Sequence, residues 1–132
     1  MWPHPDWPLL TSAAVNPYFT HLECGHCPEK HDHSVPQSTC RSCGGPLLAR
    51  YKLDHEEMPS LADVLARLAG QFRFPEVLPT AAGAHTPNLG EGATPLVTAE
   101  RLGVLVKDEA QNPTGSFKAR GMAVAMARAV EL

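Results

Sequence analysis

Two Cys-x-x-Cys pairs restrict this chain more than any other feature. Cys24-Gly25-His26-Cys27 is followed, after twelve residues, by Cys40-Arg41-Ser42-Cys43-Gly44-Gly45. Two residues between cysteines let both thiolates of a tight turn face one ion, and the glycines free the backbone for that turn. Two such turns supply a tetrahedron, so the spacing predicts a zinc site built from Cys24, Cys27, Cys40 and Cys43. Four thiolates close the coordination shell, which makes that zinc structural and leaves no open position for water or substrate. A disulfide framework is the main alternative and belongs to secreted chains. A redox Cys-x-x-Cys is the other, and such motifs normally come singly. The intervening segment is rich in proline and polar residues, and it needs a staple of this kind to fold. His21, His26, His31 and His33 lie nearby in sequence. With four spaced cysteines available, these histidines read as solvated groups or as neighbours of the ligands.

Charge and hydropathy exclude several classes. The formal charge of −3 argues against a nucleic-acid or membrane partner held by electrostatics. Between His21 and Lys52 the cations Lys30, Arg41, Arg50 and Lys52 are nearly balanced by Glu23, Glu29 and Asp32, which is too weak for a DNA or RNA footprint. No apolar run approaches the roughly 20 residues that span a membrane. Met1-Trp2-Pro3-His4-Pro5 lacks the basic and apolar regions of a signal peptide, so a cytoplasmic location is expected.

The second motif is Gln111-Asn112-Pro113-Thr114-Gly115-Ser116-Phe117-Lys118-Ala119-Arg120-Gly121. Pro113 and Gly115 punctuate a loop. Ser116 is an N-cap candidate for an alanine-rich, proline-free run from Phe117 to Leu132. Lys118 then falls in the first helical turn, beside unpaired backbone N–H groups and the positive end of the helix dipole. That setting favours a neutral amine, the form a Schiff-base lysine needs. By itself, the same pattern also describes a capped surface helix with a solvated lysine.

This segment resembles the cofactor-lysine motif of fold-type II pyridoxal-phosphate enzymes, and within them it is most similar to the threonine synthase family. The resemblance is carried in order by Leu89-Gly90-Glu91-Gly92-Ala93-Thr94-Pro95-Leu96, by Val106-Lys107-Asp108-Glu109, and by Gln111 to Gly121. Threonine dehydratases and cysteine synthases carry related lysine cores. The Asn112-Pro113 pair, the Gly-Glu-Gly segment and the cysteine-rich N-terminus favour threonine synthase. The resemblance implies that Lys118 forms an aldimine with pyridoxal 5'-phosphate and then serves as the acid–base group. It also implies that Phe117 helps wall the cofactor pocket. The implied reaction converts O-phosphohomoserine and water to threonine and phosphate, in a lyase that acts as a homodimer on a small amino-acid substrate. Such enzymes need two α/β domains, with the phosphate-binding loop downstream of Lys118. The chain is therefore read as an N-terminal part of such an enzyme, inactive alone. The open alternatives are another fold-type II lyase and a free-standing zinc-ribbon binding module.

The expected fold class is an incomplete α/β arrangement: a four-cysteine zinc ribbon, then the start of a fold-type II (tryptophan synthase beta-like) domain. Residues 1–19 read as an extended arm, 20–55 as the ribbon module, 56–88 as a helix and linker, and 89–132 as the truncated start of the catalytic domain. The ribbon ends in a strand expected from Pro46 to Leu53. Ser60 caps a helix expected from Leu61 to Ala69, with Leu61, Val64, Leu65 and Leu68 on one face and Gly70 as its stop. Leu96-Val97 reads as a strand, Thr98 to Leu102 as a brief helix, and Val104-Leu105-Val106 as a buried strand. Gly90-Glu91-Gly92 fails the dinucleotide fingerprint because Pro95 stands at the third glycine position, and it reads as a supporting turn.

Overall fold

The computed structural model describes residues 16–54, 58–81 and 88–132. The arm expected over residues 1–15 and parts of the linker (55–57 and 82–87) lie outside the described residues.

The N-terminal part is a three-stranded antiparallel sheet in the order β2-β1-β3, with β1 at Phe19–Cys24, β2 at Lys30–His31 and β3 at Leu47–Tyr51. Leu22 faces His31 on one side and Ala49 on the other. β1 takes in Phe19, which the sequence places at the end of the arm. Phe19 is only 4% exposed, and its ring stacks on His33 and Tyr51 at 4.3 and 5.5 Å. With Cys24 and Cys40 it makes the buried apolar centre of this sheet.

Helix α1 spans Leu61–Ala66 and starts as expected. The Ser60 hydroxyl accepts from the Asp63 N–H, and the Asp63 carboxylate accepts from the Ser60 N–H, a reciprocal capping box. Its end comes earlier than expected, at Arg67 rather than at Gly70. Arg67 turns extended, and its guanidinium grips both Glu76 oxygens at 2.7 and 3.0 Å and the Arg73 carbonyl at 2.8 Å. A two-pronged pair nine residues away outweighs another turn of helix with weak local preference. On the apolar face named from the sequence, Leu61, Leu65 and Leu68 are exposed, Leu68 to 92%, and Val64 is half-buried. Short 3-10 turns at Gln71–Arg73 and Pro75–Val77 follow.

Strands β4 (Leu96–Ala99) and β5 (Val104–Lys107) form an antiparallel hairpin, pairing Val97 with Val106. A 3-10 turn at Glu100–Leu102 and a left-handed Gly103 close it, so the brief helix starts two residues later than expected. The Val104–Val106 strand is present, but its expected burial is not: Leu105 is 64% exposed. Four residues of connection allow a hairpin and nothing longer. A two-stranded ribbon with no layer packed on it among the described residues has both faces open there. Helix α2, Lys118–Glu131, buries a stripe of Ala119, Ala123 and Ala127 at four-residue spacing. No helix among the described residues is long and apolar enough to cross a membrane.

Candidate metal centre and cofactor lysine

The two Cys-x-x-Cys turns bring their sulfurs together. All four Sγ atoms lie within 4.8 Å of one another. Cys24 and Cys43 are 3.5 Å apart, Cys27 and Cys43 3.5 Å, and Cys27 and Cys40 3.7 Å. Four ligands about 2.3 Å from a central zinc stand roughly 3.8 Å from each other in a tetrahedron. The cluster therefore has the donor set and the dimensions to hold a metal ion. Backbone N–H groups prepare it electrostatically. The His26 N–H, 3.3 Å from Cys24 Sγ, pulls that thiol down to about 7. Cys27 moves the other way. The Glu29 N–H favours its thiolate, yet the Cys43 sulfur and burial push it up to about 12. Sulfurs this close cannot all ionise without a cation between them.

Gly45 shows how tightly the turns are packed. A Cβ there would lie 3.0 Å from the His26 ring and 3.1 Å from Cys24 Sγ. The histidines separate into different roles. His31 Nε2 lies 3.3 Å from Cys40 Sγ, close enough to hydrogen-bond a ligand sulfur. His26 contributes its backbone N–H. His33 stacks on Phe19, and His21 sits beside Thr20 and Glu23.

Lys118 opens α2. Its N–H donates to the Ser116 hydroxyl at 3.3 Å, so Ser116 caps the first turn, one residue before the helix boundary at Phe117. Phe117 and Lys118 are both exposed. Among the described residues, no hydrogen-bond or ion-pair partner meets the Lys118 ammonium, whereas nearby cations are engaged. The loop before it is anchored by a network that sequence reasoning did not single out. The Arg120 guanidinium forks onto Glu109, with Nε 2.7 Å from Oε2 and Nη2 2.8 Å from Oε1. Thr94 Oγ1 donates to Glu109 Oε1 at 2.7 Å and accepts from Arg120 Nη2 at 3.2 Å. The buried Asn112 amide donates to Glu109 Oε2 at 2.9 Å, and its oxygen accepts from the Gly92 N–H at 3.1 Å. The Arg120 hydrogen bonds, then Thr94 and Asn112, hold the Glu109 carboxyl down at about 2.

Gly90-Glu91-Gly92 forms a turn packed against Gln71. Gly92 has φ +89°, and a Cβ there would lie 2.6 Å from the Gln71 nitrogen, so only glycine fits. The Gln71 N–H donates to the Glu91 carbonyl at 2.8 Å, and its side chain donates to the Arg120 carbonyl at 2.8 Å. The three sequence pieces that carry the resemblance therefore meet in space around Glu109 and Arg120. A faint signal for this was available: an acid just after a strand and an arginine in the first turn of the next helix.

The model of the pyridoxal-phosphate dependent enzyme family matches residues 87–132. Lys118 and the Glu109–Arg120 network both fall inside the matched residues. The chain is also similar to the threonine synthase of Methanosarcina acetivorans, 32% identical over 124 residues, and to that of Methanocaldococcus jannaschii, 39% identical over 119 residues. These matches cover 85% and 83% of this chain, and 29% of each relative. A threonine synthase of Halalkalibacterium halodurans is 45% identical over 64 residues, covering 44% of this chain and 18% of that protein. No solved structure matches the chain.

Proposed function

We propose that residues 1–132 form part of a threonine synthase, with Lys118 as the pyridoxal-phosphate lysine and a structural zinc ion on the four cysteines. One observation carries this reading. The two archaeal relatives named threonine synthase match 85% and 83% of the chain, too much to leave out the cysteine ribbon, while the family segment supplies the lysine. The residues present fit both groups. The cysteine cluster has tetrahedral dimensions, and the Lys118 amine is accessible at the start of a helix of 14 residues.

When bound, pyridoxal phosphate supplies an electron sink for the carbons next to the substrate amine. Lys118 anchors it and, once free, holds and moves a proton between neighbouring substrate carbons. Ser116 fixes the first turn from which that amine projects. Glu109 and Arg120 set the loop that delivers it, so their contribution is orientation rather than proton transfer. Phe117 offers an apolar face beside the amine. On this reading O-phosphohomoserine loses phosphate and gains water to give threonine.

The test is a substrate screen on the enzyme that contains this chain. Equal release of phosphate and threonine from O-phosphohomoserine is expected. Formation of a 2-oxo acid and ammonia from threonine, or of cysteine and a carboxylate from a serine ester and sulfide, would assign the chain to a different lyase of the same superfamily.

A further inference from the structure

The last turns of α2 meet the cysteine ribbon at one arginine. The Arg128 guanidinium sits 5.9 Å above the centre of the Phe19 ring. Its Nη2 donates to the His33 carbonyl, and its Nη1 donates to Glu131 at 2.6 Å. Glu131 also accepts from the Ala81 N–H at 2.6 Å. Arg128 therefore touches β1, the segment after β2 and its own helix. A planar fork over a ring face and against a carbonyl is a task for arginine rather than lysine.

The partners of Arg128 are held by the ribbon. Phe19 is buried and stacked on His33 and Tyr51. His33 follows two residues after His31, whose ring reaches Cys40 Sγ at 3.3 Å. Between His31 and Cys40 the chain contains turns and an isolated bridge rather than strand. The carbonyl that receives Arg128 thus lies in a segment whose ends are fixed by β2 and by a cysteine ligand.

We propose that Arg128 is a positioning residue that fastens the lysine helix to the cysteine ribbon, so that metal bound by the four cysteines also orders α2. The inference rests on the metal-binding reading above and adds a coupling to it. Coupling of this kind is reciprocal: what metal does for α2, docking of α2 must do for metal affinity, by the same factor.

The experiment uses the 132-residue chain. Cobalt(II) absorption reports loading of the thiolate cluster, and amide hydrogen exchange over residues 118–131 is compared with and without zinc. Zinc is expected to slow exchange in that segment roughly tenfold, the protection given by charge-assisted contacts closing a helix end. Arg128→Gln should keep the tetrathiolate cobalt spectrum, lose the zinc-dependent protection and weaken zinc binding by a similar factor. Arg128→Lys, which keeps a cation without the fork, should restore part of both. A normal cobalt spectrum with α2 exchange indifferent to zinc overturns the coupling alone. Protection that survives in Arg128→Gln overturns the role of this residue. Absence of any cobalt spectrum overturns the coupling together with the metal reading beneath it.

Discussion

The cysteine ribbon and the lysine segment are held together in opposite ways. The ribbon has three short strands, a buried aromatic centre and four sulfurs converging on one point. Most of what fixes it lies within about thirty residues, and its four sulfurs are placed so that they could hold a metal ion. The lysine segment has a well-connected polar network around Glu109, Arg120, Thr94 and Asn112. Its apolar surface is uncovered: Leu96, Leu102 and Leu105 are all exposed, and its buried apolar stripe is three alanines. Hydrogen bonds set geometry here, but little apolar burial supports them, and net stability depends mainly on burial. The ribbon is thus organised around a compact buried centre, while the lysine segment has its local geometry set without a core.

The sharpest way to break this contrast is to remove a ligand. Cys40→Ser should abolish the tetrathiolate cobalt spectrum and the cooperative unfolding of the ribbon. Structural zinc supplies about 10–16 kcal/mol in small zinc modules, far more than the other contacts of so short a sheet. Survival of a zinc-dependent melting transition in this variant would mean the sheet is not organised by metal.

Next in size are single packing changes, one in each region. Phe19→Ala should destabilise the loaded ribbon by about 3 kcal/mol, because the ring is buried against two others. Gly92→Ala should cost about 3 kcal/mol in the lysine segment, from a left-handed backbone and a Cβ 2.6 Å from the Gln71 nitrogen. Chemical denaturation of the zinc-loaded chain measures the first. Hydrogen exchange at residues 92–120 measures the second, and a neutral outcome there would show the turn to be looser than described.

Acid separates the regions by mechanism. The folded Glu109 carboxyl lies at about 2, below its ordinary value near 4.5. The charged form is thus favoured by folding, so its contribution is complete above about 4.5 and is lost as pH falls toward 2. Loss of metal should come first, at higher pH, because thiolates must reprotonate before the ion leaves. Protection of the amides of residues 109–117, ahead of α2, should persist through the pH at which cobalt is released. Simultaneous loss would merge the two regions into one unit. The smallest effect expected is that of Leu105→Ser, within about 0.5 kcal/mol, because that side chain is 64% exposed. A large destabilisation would mean that β5 is covered after all.

Legibility in the sequence followed the range of the interaction. Each Cys-x-x-Cys turn, the Ser60 cap and the Ser116 cap were readable because each depends on spacings of two to four residues. Helix α1 ended three residues early because Arg67 answers to Glu76, nine positions on, and no periodic pattern encodes that pair. The Glu109–Arg120 fork was missed for the same reason. The run Val104–Val106 announced a strand correctly, but an apolar run reports burial only where another layer covers it, and none does among the described residues. Arg128 was not singled out from the sequence. Its contacts with Phe19 and the His33 carbonyl bridge segments about a hundred residues apart.

The most direct test of the whole account is borohydride reduction of the enzyme containing this chain, in the presence of pyridoxal phosphate, followed by peptide mass mapping. A single pyridoxyl adduct on Lys118, absent in Lys118→Ala, is the predicted result. An adduct on Lys107 or elsewhere, or none at all with the cysteine cluster fully loaded, would contradict the assignment of Lys118 and leave only the metal ribbon standing.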